Sequence, residues 1–259
     1  MATTPILFDL DATLTMDVAA ADAAFLATCR RANKKHNIDP ETLHHAVRHR
    51  ARELWHAAPC FDYCRAIGMS SWEALWSRFL GDDAKSMAAR RYSSTYRFQA
   101  WARGLADMGV TDPALAEELA DAFGHERRAR HSVFPDVEET LEHLHRQYRF
   151  GMVTNGVNDI QREKIQGTDL EKYFDVIVIS GELGVGKPDA RVFRAALDQL
   201  GAAPEAAVMV GNSLTRDVEG AQKVGIRGIW LNRSGGDRTH AVHPDAEIAS
   251  LTELRKLLA

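Results

Sequence analysis

At 259 residues, 45% of them hydrophobic and 26% charged, the chain has the composition of a folded globular protein and is long enough for one large core with an insert, or for two domains. Its net charge of −4 excludes a general affinity for nucleic acid or anionic membranes. No segment approaches the ~18 apolar residues of a membrane span, and Met1-Ala2-Thr3-Thr4 lacks the basic and apolar regions of a secretion signal, so a cytoplasmic protein is expected.

The first element is a short apolar strand, Pro5 to Phe8, that runs into Asp9-Leu10-Asp11-Ala12-Thr13-Leu14-Thr15. In open parallel sheets ligands bind where the strands end. Two carboxylates two residues apart raise each other's pKa unless a cation lies between them. A divalent metal held by oxygen ligands resolves this, and Mg²⁺ is the ordinary cellular candidate. The alternative is a strand followed by an Asx turn with solvated carboxylates.

From Asp17 to Ser132 the pattern is helical, with no convincing strand. Asp39-Pro40 supplies a cap and a first-turn proline, and Leu43, Val47, Leu54 and Trp55 share one face. Ser70-x-x-Glu73 is a capping box expected to open a helix through Leu75, Trp76 and Phe79, closed by Gly81. Asp112-Pro113 starts a further helix with Leu115, Leu119 and Phe123. This region holds 17 basic and 15 acidic residues, leaving 15 basic against 21 acidic elsewhere, which puts the acidic excess where a cation would bind. Its basic helix faces are expected to be solvated and its four tryptophans to be core. Cys29, Cys60 and Cys64 fit a reducing compartment; Cys60 and Cys64 share a helix face, and without a second pair they are read as apolar packing in place of a zinc site. Asn232-Arg233-Ser234 matches a glycosylation acceptor by chance.

After Phe134-Pro135-Asp136 the chain alternates between helices and short strands. A helix carrying Val137, Leu141 and Leu144 precedes a strand, Phe150 to Val153, that ends at Thr154-Asn155-Gly156. A hydroxyl at a strand end can hydrogen-bond a phosphate oxygen, and Asn155 can assist it. A third strand, Val176 to Ile179, leads into Gly181-x4-Gly186-Lys187-Pro188. This imitates a nucleotide-binding P-loop, but such a loop needs Ser or Thr after the lysine, and Pro188 has no hydroxyl and no N–H. A helix from Ala190 to Leu200 follows. The fourth strand, Ala207 to Val210, ends in Gly211-Asn212-Ser213-Leu214-Thr215-Arg216-Asp217. A fifth strand, Gly228 to Leu231, and a sixth near Glu247 to Ala249 flank the polar loop Asn232 to Asp245, and Ser250-x-x-Glu253 opens a last helix.

Taken together, Asp9-x-Asp11-x-Thr13, Thr154, Lys187-Pro188 and Gly211-Asn212-x4-Asp217, each at a strand end, resemble the four motifs of the haloacid dehalogenase-like phosphatases. The resemblance implies a doubly wound, Rossmann-like parallel α/β sheet formed by residues 1–16 and 133–259, with an all-helical cap domain inserted as residues 17–132. It implies Asp9 as nucleophile, Asp11 as general acid and base, and Lys187 as the compensating cation. Thr154 and Asn155 would hold the phosphoryl group, and Asp9, Asp11, Asn212 and Asp217 would surround Mg²⁺. The family pattern has Asp where this chain has Asn212, a neutral ligand that weakens the metal site, shifts part of the role to Asp217, or only caps the turn. The implied activity is hydrolysis of a small phosphorylated metabolite through an aspartyl-phosphate. A phosphomutase and a non-catalytic phosphometabolite-binding protein are the competing readings. Dehalogenases of the same superfamily lack the carboxylate that Asp11 supplies.

Overall fold

Six short runs, mostly apolar and buried, form the strands of one sheet, and the computed structural model describes residues 4–236 and 241–258 of the chain. The strands are β1 (Pro5–Phe8), β2 (Arg149–Thr154), β3 (Val176–Ile179), β4 (Val208–Gly211), β5 (Arg227–Leu231) and β6 (Ala246–Ile248). All neighbours pair in parallel, in the order β3-β2-β1-β4-β5-β6. This is the doubly wound α/β arrangement expected from the alternating pattern, and its direction of winding reverses between β1 and β4, where the carboxyl ends of two strands leave a crevice. Both faces of the sheet are covered. Ile6, Phe8, Met152 and Val210 pack with Val137, Leu141 and Leu144 on one face, and Leu7, Val153 and Met209 pack with Val192, Phe193 and Leu197 on the other.

The described residues fall into two compact units, one within Met1–Met16, Ser132–Asn155 and Ile165–Ala259, the other within Asp17–His131 and Gly156–Lys164. The first contains the sheet. The second is helical: α1 (Asp17–His36), α2 (Pro40–His56), α3 (Phe61–Ala66), α4 (Ser71–Ala74), α5 (Ala84–Asp107) and α6 (Pro113–Arg128), with no strand among its described residues. The first unit continues with α7 (Val137–Leu144), and α8 (Asn158–Gly167) begins in the helical unit. The sequence reading assigned residues 156–164 to the sheet domain, but Val157 and Ile160 belong to the same buried cluster as Phe25, Trp76 and Phe123, which groups that segment with the helices. Part of the polar loop Asn232 to Asp245, residues 237–240, lies outside the described residues.

The expected caps form. The Asp39 carboxylate accepts from the Thr42 amide at 2.8 Å and the Asp112 carboxylate from the Leu115 amide at 3.0 Å, each satisfying an N-terminal donor with no partner inside its helix. The Ser70–Glu73 capping box also forms, yet α4 lasts only four residues instead of running to Gly81. The Asp159 carboxylate accepts from the amides of Arg78 and Phe79 at 2.5 and 3.1 Å, and Phe79 turns to φ 50°. A carboxylate that collects successive amides competes with the helix for the same donors.

Trp55, Trp76 and Trp101 are core, as are Cys29, Cys60 and Cys64, all free thiols. The expectation of solvated basic faces fails at Arg127, which is 1% exposed, and Lys164, outside the expected insert, is equally buried. Arg127 pairs with Asp17, and the Lys164 ammonium lies 3.1 Å from both Asp17 and Glu73. Two cations and two anions thus balance inside the helical unit, the arrangement that buried charge requires.

Helices α2 and α5 meet at Gly104, where a β-carbon would come within 2.5 Å of Val47 Cγ2 and 3.2 Å of its Cα. Gly104→Val should therefore cost about 1–3 kcal/mol, the usual penalty for overpacking a close contact. Thermal unfolding measures it, and an unchanged transition would contradict the contact.

Candidate active site

Strand β1 delivers Asp9 to the crevice. The register sets Phe8 beside both Met152 and Val210, so the chains leaving β1, β2 and β4 emerge at one level. The Asp9 amide still donates to the Val210 carbonyl at 3.0 Å, and beyond it the chain folds into a tight turn in which Leu10 O accepts from the amides of Thr13, Leu14 and Thr15.

Asp9 is 7% exposed and both its oxygens are held. Lys187 Nζ donates to Oδ1 at 2.6 Å, and the Thr13 hydroxyl donates to Oδ2 at 2.9 Å. The same ammonium lies 2.8 Å from Asp217 Oδ1. Burial pushes the Asp9 carboxyl up to about 6; Lys187 pulls it down, and the Asp217 charge adds to the rise. Burial opposes the Lys187 charge, but Asp217 and Asp9 outweigh it and hold that amine above the ordinary lysine range.

Asp217 sits on a wide π-helical turn, Leu214–Val218, directly after β4. Its Oδ2 accepts from the Ser213 amide at 2.8 Å while Oδ1 faces Lys187, and the residue is 1% exposed. Both oxygens thus have a close cationic or N–H neighbour inside the protein. A β-carbon at residue 211 would overlap this carboxylate, which is why glycine ends β4.

Asn212 is exposed. Its amide donates to Thr13 Oγ1 at 3.1 Å and its carbonyl accepts from Trp230 Nε1 at 3.0 Å. Ser213 caps the following turn, its hydroxyl accepting from the Arg216 amide at 3.2 Å. The Asn212 side chain is therefore not the cap. Its Oδ1 lies 3.4 Å from the Thr13 hydroxyl, whose single proton has the shorter contact at Asp9. Asp11 is half-buried, and its Oδ1 accepts from the Thr15 hydroxyl at 3.3 Å.

Thr154 is 1% exposed at the end of β2, paired in register with Ile179. Asn155, expected at the phosphoryl group, is turned to the backbone of Lys187. It accepts from the Lys187 amide at 2.7 Å and donates to the Lys187 carbonyl at 3.0 Å. The Lys187-Pro188 peptide is cis.

The set Asp9, Asp11 and Asn212 offers oxygen donors only, which suits a hard cation such as Mg²⁺. Asp9, Asp11 and Asp217 carry three negative charges against the single positive charge of Lys187, an excess that a divalent cation would offset. The residues present fit the metal.

The model of the haloacid dehalogenase-like hydrolases matches residues 6–225. The chain belongs to this family. It is 37% identical over 250 residues to a phosphoserine phosphatase of Thermus thermophilus, covering 96% of each chain. It is 35% identical over 152 residues to a rat N-acylneuraminate-9-phosphatase, covering 58% of this chain and 61% of that one. Among solved structures, a 2-haloacid dehalogenase from Pseudomonas syringae superposes with a TM-score of 0.62 at 30% identity, covering 99% of this chain and 98% of the other.

If Asn155 serves by fixing Lys187, Asn155→Ala should slow turnover about 10–100-fold, as removal of a group that orients a reactive one does. Steady-state kinetics of the folded variant check this, and an unchanged kcat would show that the Lys187 backbone holds itself.

Proposed function

We propose that this phosphoric monoester hydrolase cleaves a small phosphorylated metabolite through an aspartyl-phosphate on Asp9, with Mg²⁺ as cofactor. The observation that carries the reading is the buried ammonium of Lys187 between Asp9 and Asp217, with a second carboxylate, Asp11, two residues beyond the first.

Asp9 Oδ attacks phosphorus, the P–O bond to the substrate breaks, and Asp11 gives its proton to the departing alkoxide. Asp11 then takes a proton from water as the water attacks the acyl phosphate, which frees inorganic phosphate and restores Asp9. Lys187 and Thr154 donate to the phosphoryl oxygens, on which charge is spread during transfer. Asp217 keeps Lys187 charged and in place, Thr13 orients Asp9, and Asn155 holds the backbone from which Lys187 extends. Asp9, Asp11 and Asn212 would hold Mg²⁺, which when bound would supply further positive charge to the phosphoryl oxygens.

The likeness to a dehalogenase extends over the whole fold. Asp11 separates the chemistries, because a halide leaving group needs no proton while an alkoxide does. Phosphoserine is the first substrate to assay, because the relative matched over nearly its whole length carries that name. A screen of phosphorylated metabolites with Mg²⁺ tests the reading. Release of inorganic phosphate supports it, transfer of the phosphoryl group to a second metabolite would make the protein a mutase, and binding without turnover would make it a receptor.

General acid–base catalysis is worth ~10²–10⁴-fold, so Asp11→Asn should lower turnover of an alkyl phosphate by this order and that of p-nitrophenyl phosphate by much less. Equal losses on both substrates, with leaving-group departure limiting the rate in each case, would remove Asp11 from the acid role. Asn212→Asp adds an anionic oxygen to a site for a hard cation, so it should lower the Mg²⁺ concentration at half-maximal activity. Titration of Mg²⁺ against turnover for both proteins measures this, and an unchanged midpoint would take Asn212 out of the metal shell.

A further inference from the structure

Arg233 follows β5 in the polar loop, and its side chain reaches the turn that carries the nucleophile. Its Nη2 and Nε donate to the Thr13 carbonyl at 3.1 and 3.4 Å. Its Nη1 donates to Asp136 Oδ2 at 2.9 Å, and the guanidinium lies 4.0 Å from the centre of the Phe134 ring. Asp136 is itself fixed, since its Oδ2 also accepts from the Leu251 amide at 2.7 Å. The positive charge is thus matched by Asp136, which suits a structural contact better than a substrate contact.

The turn needs such a restraint. Ala12 stands at φ 61°, a conformation a residue with a side chain adopts only where its surroundings hold it there. Beside it lies a pocket of about 330 Å³ lined by Ala12, Phe134, Asn212, Trp230 and Arg233, so among the described residues no packed side chains fill the space on that side of the turn. Thr13 is also the junction of the site: its hydroxyl donates to Asp9 Oδ2 and accepts from the Asn212 amide. A shift of its backbone moves both contacts.

Resting on the phosphatase reading, we propose that Arg233 is a positioning residue for phosphoryl transfer: by pinning the Thr13 carbonyl to Asp136 and Phe134 it holds the Thr13 hydroxyl where it aims Asp9. Lysine cannot replace it fully, because contacts to Thr13, Asp136 and a ring face require a planar group with several fixed donors.

The test compares Arg233→Gln and Arg233→Lys with the natural protein. Arg255→Gln serves as control, since Arg255 bonds Glu139 by comparable contacts and touches neither Thr13 nor Asp9. Arg233→Gln should lower kcat about 10–100-fold, the usual cost of removing a group that orients a reactive one, with KM little changed. It should also speed hydrogen exchange of the amides from residue 10 to residue 15. Arg233→Lys should recover part of both effects, and Arg255→Gln should show neither. Unchanged kcat and exchange in Arg233→Gln, or equal losses in Arg255→Gln, would overturn the proposal. Should the protein hydrolyse no phosphomonoester, the phosphatase reading fails, while the exchange measurement still decides whether Arg233 restrains the turn. Should Arg233→Gln not fold, exchange in Arg233→Lys decides, and a rate equal to the natural protein's overturns the inference.

Discussion

The buried ammonium of Lys187 is the contact on which the sheet unit's chemistry depends. It lies 2.6 Å from Asp9 and 2.8 Å from Asp217, and all three side chains are nearly excluded from solvent. Charges in such a place persist only when paired, because desolvating each ion costs several kcal/mol and deleting one partner leaves the other stranded. The fold supplies the pairing. Asp9 arrives on β1, Asp217 on the wide turn after β4, and Lys187 on the loop after β3, where Asn155 at the end of β2 grips its backbone. Segments that follow four strands thus meet at Lys187, at the crevice where the winding of the sheet reverses.

The two units treat buried charge differently. In the helical unit Asp17 and Glu73 are matched by Arg127 and Lys164, and the set is neutral. At the carboxyl ends of the strands Lys187 pairs with Asp9 and Asp217, and the nearby Asp11 charge leaves an acidic excess beside an Asp9 carboxyl pushed up to about 6 by its burial. A neutral set is what packing alone requires. An uncompensated one, open at Asn212, is what a site for a divalent cation and an anionic substrate requires.

Most of the architecture was legible in the sequence because it rests on local signals. Nearly every strand is a short apolar run placed within a residue or two of its observed bounds, and the Asp39, Ser70 and Asp112 caps are patterns of two to four residues with a direct physical meaning. The helix expected beyond Ser70 stopped early because Asp159, some 80 residues further along the chain, takes the amides of Arg78 and Phe79. Spacing cannot reveal a competitor that distant. The same limit applied at the site. Motif order placed Asp9, Asp11, Lys187 and Asn212 at strand ends, but the orientation of side chains set Asn155 on the Lys187 backbone and turned Asp217 to Lys187. Arg233 was invisible as a partner of Thr13 because 220 residues separate them and no pattern joins the two.

The central claim is that Asp9 forms a covalent bond to phosphorus, and one measurement addresses it directly. The protein is mixed with a substrate it turns over, quenched in acid within a single turnover, digested and analysed by mass spectrometry. The account predicts one phosphoryl group on the peptide that carries Asp9, and none when Asp9→Asn is treated in the same way. Phosphate release by a folded Asp9→Asn protein at the natural rate, with no phosphorylated peptide in either sample, would contradict it.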